Sequence, residues 1–178
     1  MGTIKNHQPV KFFSAVTFNP NLDLRQIKAL LNKEFGETDL LSPVFDFDVY
    51  THYYEPEMGS GLQKFFIAFK KLQDVGLLPA FKIKSNRLEM QFSIDKKRTV
   101  NLDPGYITEA KMVLATTKDY SHRIYLEQGI FADLHLVFDK GSFRAQAWTY
   151  PDYKQDLSIH FFNQLRECYR TQLVQVKK

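Results

Sequence analysis

Three runs rich in β-formers, roughly 122–127, 130–138 and 142–149, are separated only by Gln128-Gly129 and by Asp139-Lys140-Gly141. Short separators that carry glycine are hairpin connections, because their left-handed positions match the twist of paired strands. This stretch is therefore committed to an antiparallel meander, and a meander has an apolar face that something must cover.

The covers and further strands can be read on either side. After the meander, Leu157, Phe161, Phe162, Leu165, Tyr169 and Leu173 recur at helical spacing. Near the start, Val10–Phe18 is a run of β-formers stopped by Asn19-Pro20-Asn21. Asp23-Leu24-Arg25-Gln26 then has the form of a capping box, followed by Leu24, Ile27, Leu30, Leu31 and Phe35, with Gly36 as the C-cap. Ser42–Tyr54 alternates, which predicts a strand with Phe45, Phe47, Val49, Thr51 and Tyr53 on one face. Asp46, Asp48, Tyr50, His52 and Tyr54 fall on the other. Gln63–Lys71 is the returning strand, and 77–92 is a helix with Phe81, Leu88 and Phe92 inward. Arg98–Leu102 reads as a short strand. Asp103 then serves as N-cap and Pro104 as first residue of a helix running to about Thr116.

The expected class is α+β, an antiparallel sheet with helices mainly on one face, in a single domain over 1–178. The element order in about 10–95 resembles that in 96–178, and Thr51-His52 through Gly59 echoes Ser121-His122 through Gly129. A duplicated ferredoxin-like arrangement is one reading of those halves.

Composition narrows the chemistry. A single Cys168 excludes an internal disulfide and a multi-cysteine metal site. No leader-like segment opens the chain, and no apolar run approaches the ~18 residues needed to span a bilayer. The cytoplasm is the expected location, and no membrane partner is expected. The formal charge of +4 is spread along the chain, with small clusters such as Lys70-Lys71 and Lys96-Lys97-Arg98. Nucleic-acid footprints are usually stronger and more clustered than this, and the balance permits an anionic ligand without demanding one. Aromatic residues reach 15% of the chain; many of the Phe residues belong to the core, Tyr and Trp can also serve as contact residues, and composition does not separate the two roles.

Four segments carry a resemblance: Tyr53-Tyr54-Glu55-Pro56-Glu57-Met58-Gly59, Asn101-Leu102-Asp103-Pro104-Gly105-Tyr106, Thr117–Leu126 and Trp148–Tyr153. In this order they resemble a prokaryotic family known as domain of unknown function 4416, over nearly the whole chain. The resemblance implies no activity. Some members of that family carry a GTP-binding label, which the residues here must support. A P-loop needs Gly-x4-Gly-Lys-Ser/Thr to wrap phosphates in backbone N–H groups, and the chain has none. Thr117-Lys118-Asp119 is only a three-residue echo of a guanine-recognition motif. Gly-x-Ser-x-Gly and His-Glu-x-x-His are also missing. Two-histidine phosphoesterases need His-x-Thr/Ser in each half, whereas His52 precedes Tyr-Tyr and His122 precedes Arg-Ile.

Four candidate sites remain. Asp46, Asp48 and His52 offer oxygen and nitrogen ligands for a metal from one strand face, weakly, since no fourth ligand is evident. Gly105 and Tyr106 sit at a predicted helix start, where an anion such as phosphate is favoured. Lys118, Asp119, Ser121, His122 and Arg123 form the densest polar cluster, a cationic clamp (Lys118, Arg123) beside an imidazole able to move protons. The meander's polar face, with Arg123, Tyr125, Phe131, Asp133, His135, Arg144, Gln146 and Trp148, can stack and charge-clamp a base, and Tyr150 follows it. Its apolar face is expected to be Ile130, Ala132, Leu134, Leu136 and Phe138 with Phe143, Ala145 and Ala147.

The leading expectation is a binding module for a phosphate-bearing ligand, a nucleotide or RNA. The alternatives are an enzyme acting on a phosphate ester, with His122 as acid–base oriented by Asp119 or Asp103, and a protein–protein adaptor. A second copy of the chain, as a homodimer, is one cover the polar sheet face admits. No cofactor is implied by any motif.

Overall fold

Val10–Phe18 (β1) is buried along its whole length, and Gln63–Gln73 (β4) carries Phe65, Phe66, Ile67, Ala68 and Phe69, all buried. Strands apolar on both faces have to be covered on both faces, and that requirement organises the molecule. The computed structural model describes residues 2–176. In chain order the elements are β1, α1 (Leu24–Phe35), β2 (Thr38–Leu41), β3 (Phe45–Asp46), α2 (Glu55–Met58), β4, α3 (Leu78–Gln91), β5 (Val100–Ile107) and β6 (Lys111–Thr116). They are followed by β7 (Arg123–Glu127), β8 (Ile130–Asp139), β9 (Ser142–Ala145), α4 (Pro151–Lys154) and α5 (Asp156–Val176).

Among the described residues nine strands join one antiparallel sheet, ordered β2-β4-β1-β5-β6-β8-β7, with β3 also on β4 and β9 also on β8. Phe12, Val16, Phe65, Ile67 and Leu102 pack on one face beneath Ile27 and Leu31 of α1 and Phe81 and Leu88 of α3. Phe13, Ala15, Phe66, Leu114 and Leu136 pack on the other beneath Phe161, Phe162, Leu165 and Tyr169 of α5. The expectation of helices mainly on one face therefore holds for α1 and α3, while α5 covers the opposite side. No helix among the described residues is long and apolar enough to cross a membrane.

Local signals explain the helix ends. The Asp23 carboxylate accepts the Arg25 N–H at 2.9 Å, and Gly36 takes φ +108° while its N–H closes on Asn32 O. In α3 the residues Lys82, Ser85, Asn86 and Glu89 share one stripe, and Phe81 and Leu88 share another. A helix buried on a polar as well as an apolar stripe has weak hydrophobic periodicity.

Four expectations are corrected. Ser42–Tyr54 is not a strand: pairing ends at Asp46, because the aspartates bend the chain. Asp46 Oδ1 accepts the Asp48 N–H at 3.0 Å, and Asp48 Oδ2 accepts the N–H groups of Gly61 and Leu62 at 2.6 and 3.2 Å. The proposed helix over 104–116 is β5 and β6. The first half runs β1-α1-β2-β3-α2-β4-α3-β5, with β2-β4-β1-β5 as the spatial order of its long strands. From β5 on, strand follows strand until α4, so the second half does not repeat that order. Finally, the three strands form two hairpins on one edge of β8, with β6 along its other edge, in place of the expected meander, and their apolar residues do not share one face. Val113 pairs with Leu134 and Met112 with Leu136, leaving His135 as a bulge. Before it, Ile130, Ala132 and Leu134 serve the α1/α3 face; after it, Leu136 and Phe138 serve the α5 face.

Candidate functional site: a cleft where the sheet forks

The central feature is a break in strand pairing. β5 pairs with β1 from Val100 to Ile107, but with β6 only through Gly105–Leu114, Tyr106–Val113 and Ile107–Met112. Below Gly105 the two strands part. The backbone left bare on β5 is capped by α3: Glu89 Oε1 accepts the Leu102 N–H at 2.7 Å, and Lys82 Nζ donates to Leu102 O at 3.0 Å. Buried backbone polar groups need such partners. The fork opens into a cleft of about 640 Å³, within the range of small-molecule sites.

Its floor is charged and largely buried. Lys64 of β4 meets Asp152 of α4 at 2.6 Å, and Lys82 meets Asp103 at 3.1 Å. Asn101 Nδ2 donates to the other Asp103 oxygen at 2.8 Å. Arg98 forks onto both Glu57 oxygens at 2.7 Å each and reaches Glu89 at 2.8 Å. Burial pushes the Asp103 carboxyl up, but Lys82, Lys64 and the hydrogen bonds from Lys82 and Asn101 outweigh it and hold the group below its usual range. For Glu89 burial prevails, and its carboxyl is raised despite Lys82, the Leu102 N–H and Arg98.

The walls and mouth are aromatic and cationic. Arg123 Nε donates to Asp133 Oδ2 at 3.0 Å, Nη2 to the Tyr150 hydroxyl at 2.9 Å, and Nη1 to Lys118 O at 3.1 Å. Lys118 Nζ donates to the Tyr53 hydroxyl at 2.6 Å, so the 117–122 loop is tied to the turn bearing Tyr53 and Tyr54. Burial raises the phenols of Tyr54 and Tyr150, which keeps both neutral. Behind the wall, His135 Nε2 accepts the Tyr150 N–H at 3.1 Å, so its proton is on Nδ1, 3.5 Å from Asp133 Oδ1.

The fork thus unites residues from separate sequence candidates. Asp103, Lys118, Arg123 and Tyr150 line the cleft; His122, Asp119, Ser121, Arg144 and Trp148 do not. His122 stacks on Trp148 with ring centroids 4.8 Å apart and lies 3.7 Å from Asp133, outside the lining. The Trp148 Nε1–H is committed to Leu134 O at 2.7 Å. Arg144 is exposed on β9.

Gly105 and Tyr106 have a different role from the one expected. There is no helix start: a Cβ on Gly105 would lie 2.5 Å from Val113 O and 2.7 Å from the Phe13 ring, so glycine answers to packing. Tyr106 is buried against Phe12. Asp46, Asp48 and His52 do not converge either, since their segment turns and His52 faces Glu55 at 3.2 Å. Among the described residues no group of three His, Cys, Asp or Glu side chains is placed to hold a metal.

Sequence reasoning missed Lys64, Lys82, Glu89, Arg98, Asn101 and Asp152. A lone lysine inside an apolar strand is a usable signal, but Lys11 gives it too and lies elsewhere, closed by Asp39, Phe69 O and Gln172.

No curated protein and no solved structure matches the chain. A family model described as Domain of unknown function (DUF4416) matches residues 8–169.

Proposed function

The chain belongs to the DUF4416 family, whose description names no activity, and from the cleft we propose that the protein binds a small phosphate-bearing ligand of nucleotide size. One observation carries this reading. Lys64 is 3% exposed yet, among the described residues, has a single oxygen acceptor, Asp152, at 2.6 Å. Lys11, equally buried, has oxygen acceptors for all its donors: Asp39 at 2.6 Å, Phe69 O at 3.1 Å and Gln172 at 3.0 Å. An ammonium taken out of water with donors to spare is costly. Around Lys64 those donors meet only the rings of Phe47, Phe66 and Tyr153 and the cleft itself. Lys82, Arg98, Arg123 and Lys118 line the same cavity, which suits an anionic group.

A single-stranded RNA platform has less support, because the Trp148 ring is covered by His122 and its N–H is used. An acid–base role for His122 lacks support too, as that ring does not line the cleft.

The test is a thermal-shift screen against nucleotides, phosphorylated metabolites, short RNAs and divalent metals. A ligand that binds only the native state raises the melting temperature by mass action. The expected result is an upward shift with a phosphate-bearing small molecule, abolished in the double variant Lys64→Met/Asp152→Leu, which removes the pair together. No shift with any phosphate-bearing compound overturns the proposal.

A further inference from the structure

The cleft separates its charges by depth. Its carboxylates belong to the interior: Glu89, Asp133 and Asp152 are buried, and Asp103 is held between Lys82 and Asn101. Each is already matched to a cation: Glu89 to Arg98, Asp133 to Arg123, Asp152 to Lys64 and Asp103 to Lys82. At the mouth the balance differs. Lys118 is exposed, and its ammonium is bonded to a phenol, not to a carboxylate. Tyr53 and Tyr150 have each accepted a hydrogen bond from a cation, Lys118 and Arg123 respectively. Each phenol proton is therefore free to donate outward. The Arg123–Lys118 O bond at 3.1 Å holds the two cation–phenol pairs together.

We infer that the ligand is a phosphomonoester held with its phosphate at the mouth, by Lys118, Tyr53 and Tyr150, and its uncharged, hydrogen-bonding body toward the floor. This rests on the binding reading above and adds the direction of the ligand. The mouth offers two O–H donors and an ammonium with N–H groups to spare, a set that fits the several acceptor oxygens of a terminal phosphate. The interior, with every carboxylate paired, offers the spare donors of Lys64 beside the donors and acceptors of Asn86 and Asp103, so the Lys64 ammonium that carries the binding reading meets oxygens of the ligand's body. A neutral polar body meets no net charge there. A phosphate pushed to the floor would face Asp103 and Asp152.

Nucleoside 5′-monophosphates and ribose 5-phosphate share this chemistry, and calorimetry on the intact protein distinguishes them. The probes are the four nucleoside 5′-monophosphates, their parent nucleosides, ribose 5-phosphate and inorganic phosphate. The expected result is that at least one phosphomonoester binds about tenfold or more tighter than its unphosphorylated parent. Lys118→Met and Tyr53→Phe, both at exposed positions, should erase that preference, leave binding of the parent compound unchanged, and keep the ligand-free melting temperature. Raising the salt concentration should weaken the ester and not the parent, since the mouth is open to screening. If Lys118→Met weakens ester and parent by the same factor, the phosphate is not at the mouth, and the inferred direction fails while the binding reading stands. If none of the probes binds while another phosphate-bearing compound raises the melting temperature, the inferred direction fails and the binding reading stands; if no phosphate-bearing compound binds, both fail.

Discussion

Glu89, on a helix, accepts the backbone N–H of Leu102 at 2.7 Å, in the position a neighbouring strand would otherwise fill. The same carboxylate takes Arg98 at 2.8 Å. One side chain thus ends the sheet on one side of the cleft and anchors the cation that closes it. Glu89→Leu should cost about 3 kcal/mol, because it strands a buried N–H and a partly buried guanidinium. Glu89→Gln keeps an oxygen for Leu102 and should cost roughly a third as much. Urea unfolding of the two variants checks the ratio; equal losses would mean that the backbone bond contributes nothing of its own.

Gly105 predicts a second asymmetry. Gly105→Ala places a methyl 2.5 Å from Val113 O and 2.7 Å from the Phe13 ring. The ring can yield but the carbonyl belongs to the β5–β6 ladder, so a loss of about 2–3 kcal/mol is expected. Adding Phe13→Leu should recover less than half of it, as read from denaturation midpoints.

A pH dependence follows from His135. Burial depresses its affinity for a proton, and Lys64 adds to that, against the pull of Asp133 and Asp152. With the folded value depressed, the stabilisation is complete above about 6.5, where an unfolded histidine begins to take up its proton, and is lost as pH falls below it. Unfolding free energy should therefore drop as pH falls below about 6.5, by up to ~1.4 kcal/mol per unit from this residue. His135→Gln keeps an acceptor for the Tyr150 N–H and should flatten the slope. An unchanged slope would assign the effect to other groups. The Asp133 carboxyl, which burial raises but His135 and Arg123 hold low overall, acts in the same direction only in the acid range.

The two buried lysines should respond differently to the same substitution. Lys64→Met leaves Asp152 buried without a cation and should cost about 3–5 kcal/mol. Lys11→Met leaves Asp39, which is partly solvated, and should cost less, about 1–3 kcal/mol. Asp152→Leu on top of Lys64→Met should return most of the stability, since removing both charges relieves the penalty. Failure of that rescue would mean that the cation–π contacts of Lys64 hold the fold, beyond its charge.

How much of this was legible in the sequence depends on the range of the forces involved. The β7–β8 and β8–β9 hairpins, α1 with its Asp23 and Gly36 ends, and α5 follow from local pattern and turn chemistry, and were readable; that β7 and β9 share one edge of β8, with β6 along the other, was not. Asp103-Pro104-Gly105 misled because each residue answers to something distant. Asp103 serves Lys82, Pro104 lies where β5 has only β1 beside it, and Gly105 makes room for Phe13. The His135 bulge was invisible for the same reason, since one extra residue changes the face of everything after it without altering the alternation. Of the site, the exposed side in the 117–123 loop was legible as a polar cluster. Lys64, Lys82 and Glu89 were not, because they come together only where two strands part.

That parting also has a consequence for folding. The cleft is assembled from a turn near residue 50, strand β4, helix α3, the β5–β6 fork and the segment around Asp152. Its lining runs from Phe47 to Asp152 across separate elements, so no partly folded intermediate lacking either end of that span can display it. Occupancy of the cleft is consequently a report on completion: a ligand there draws together segments separated by about a hundred residues, and slows the first step of their separation more than it hastens their first encounter.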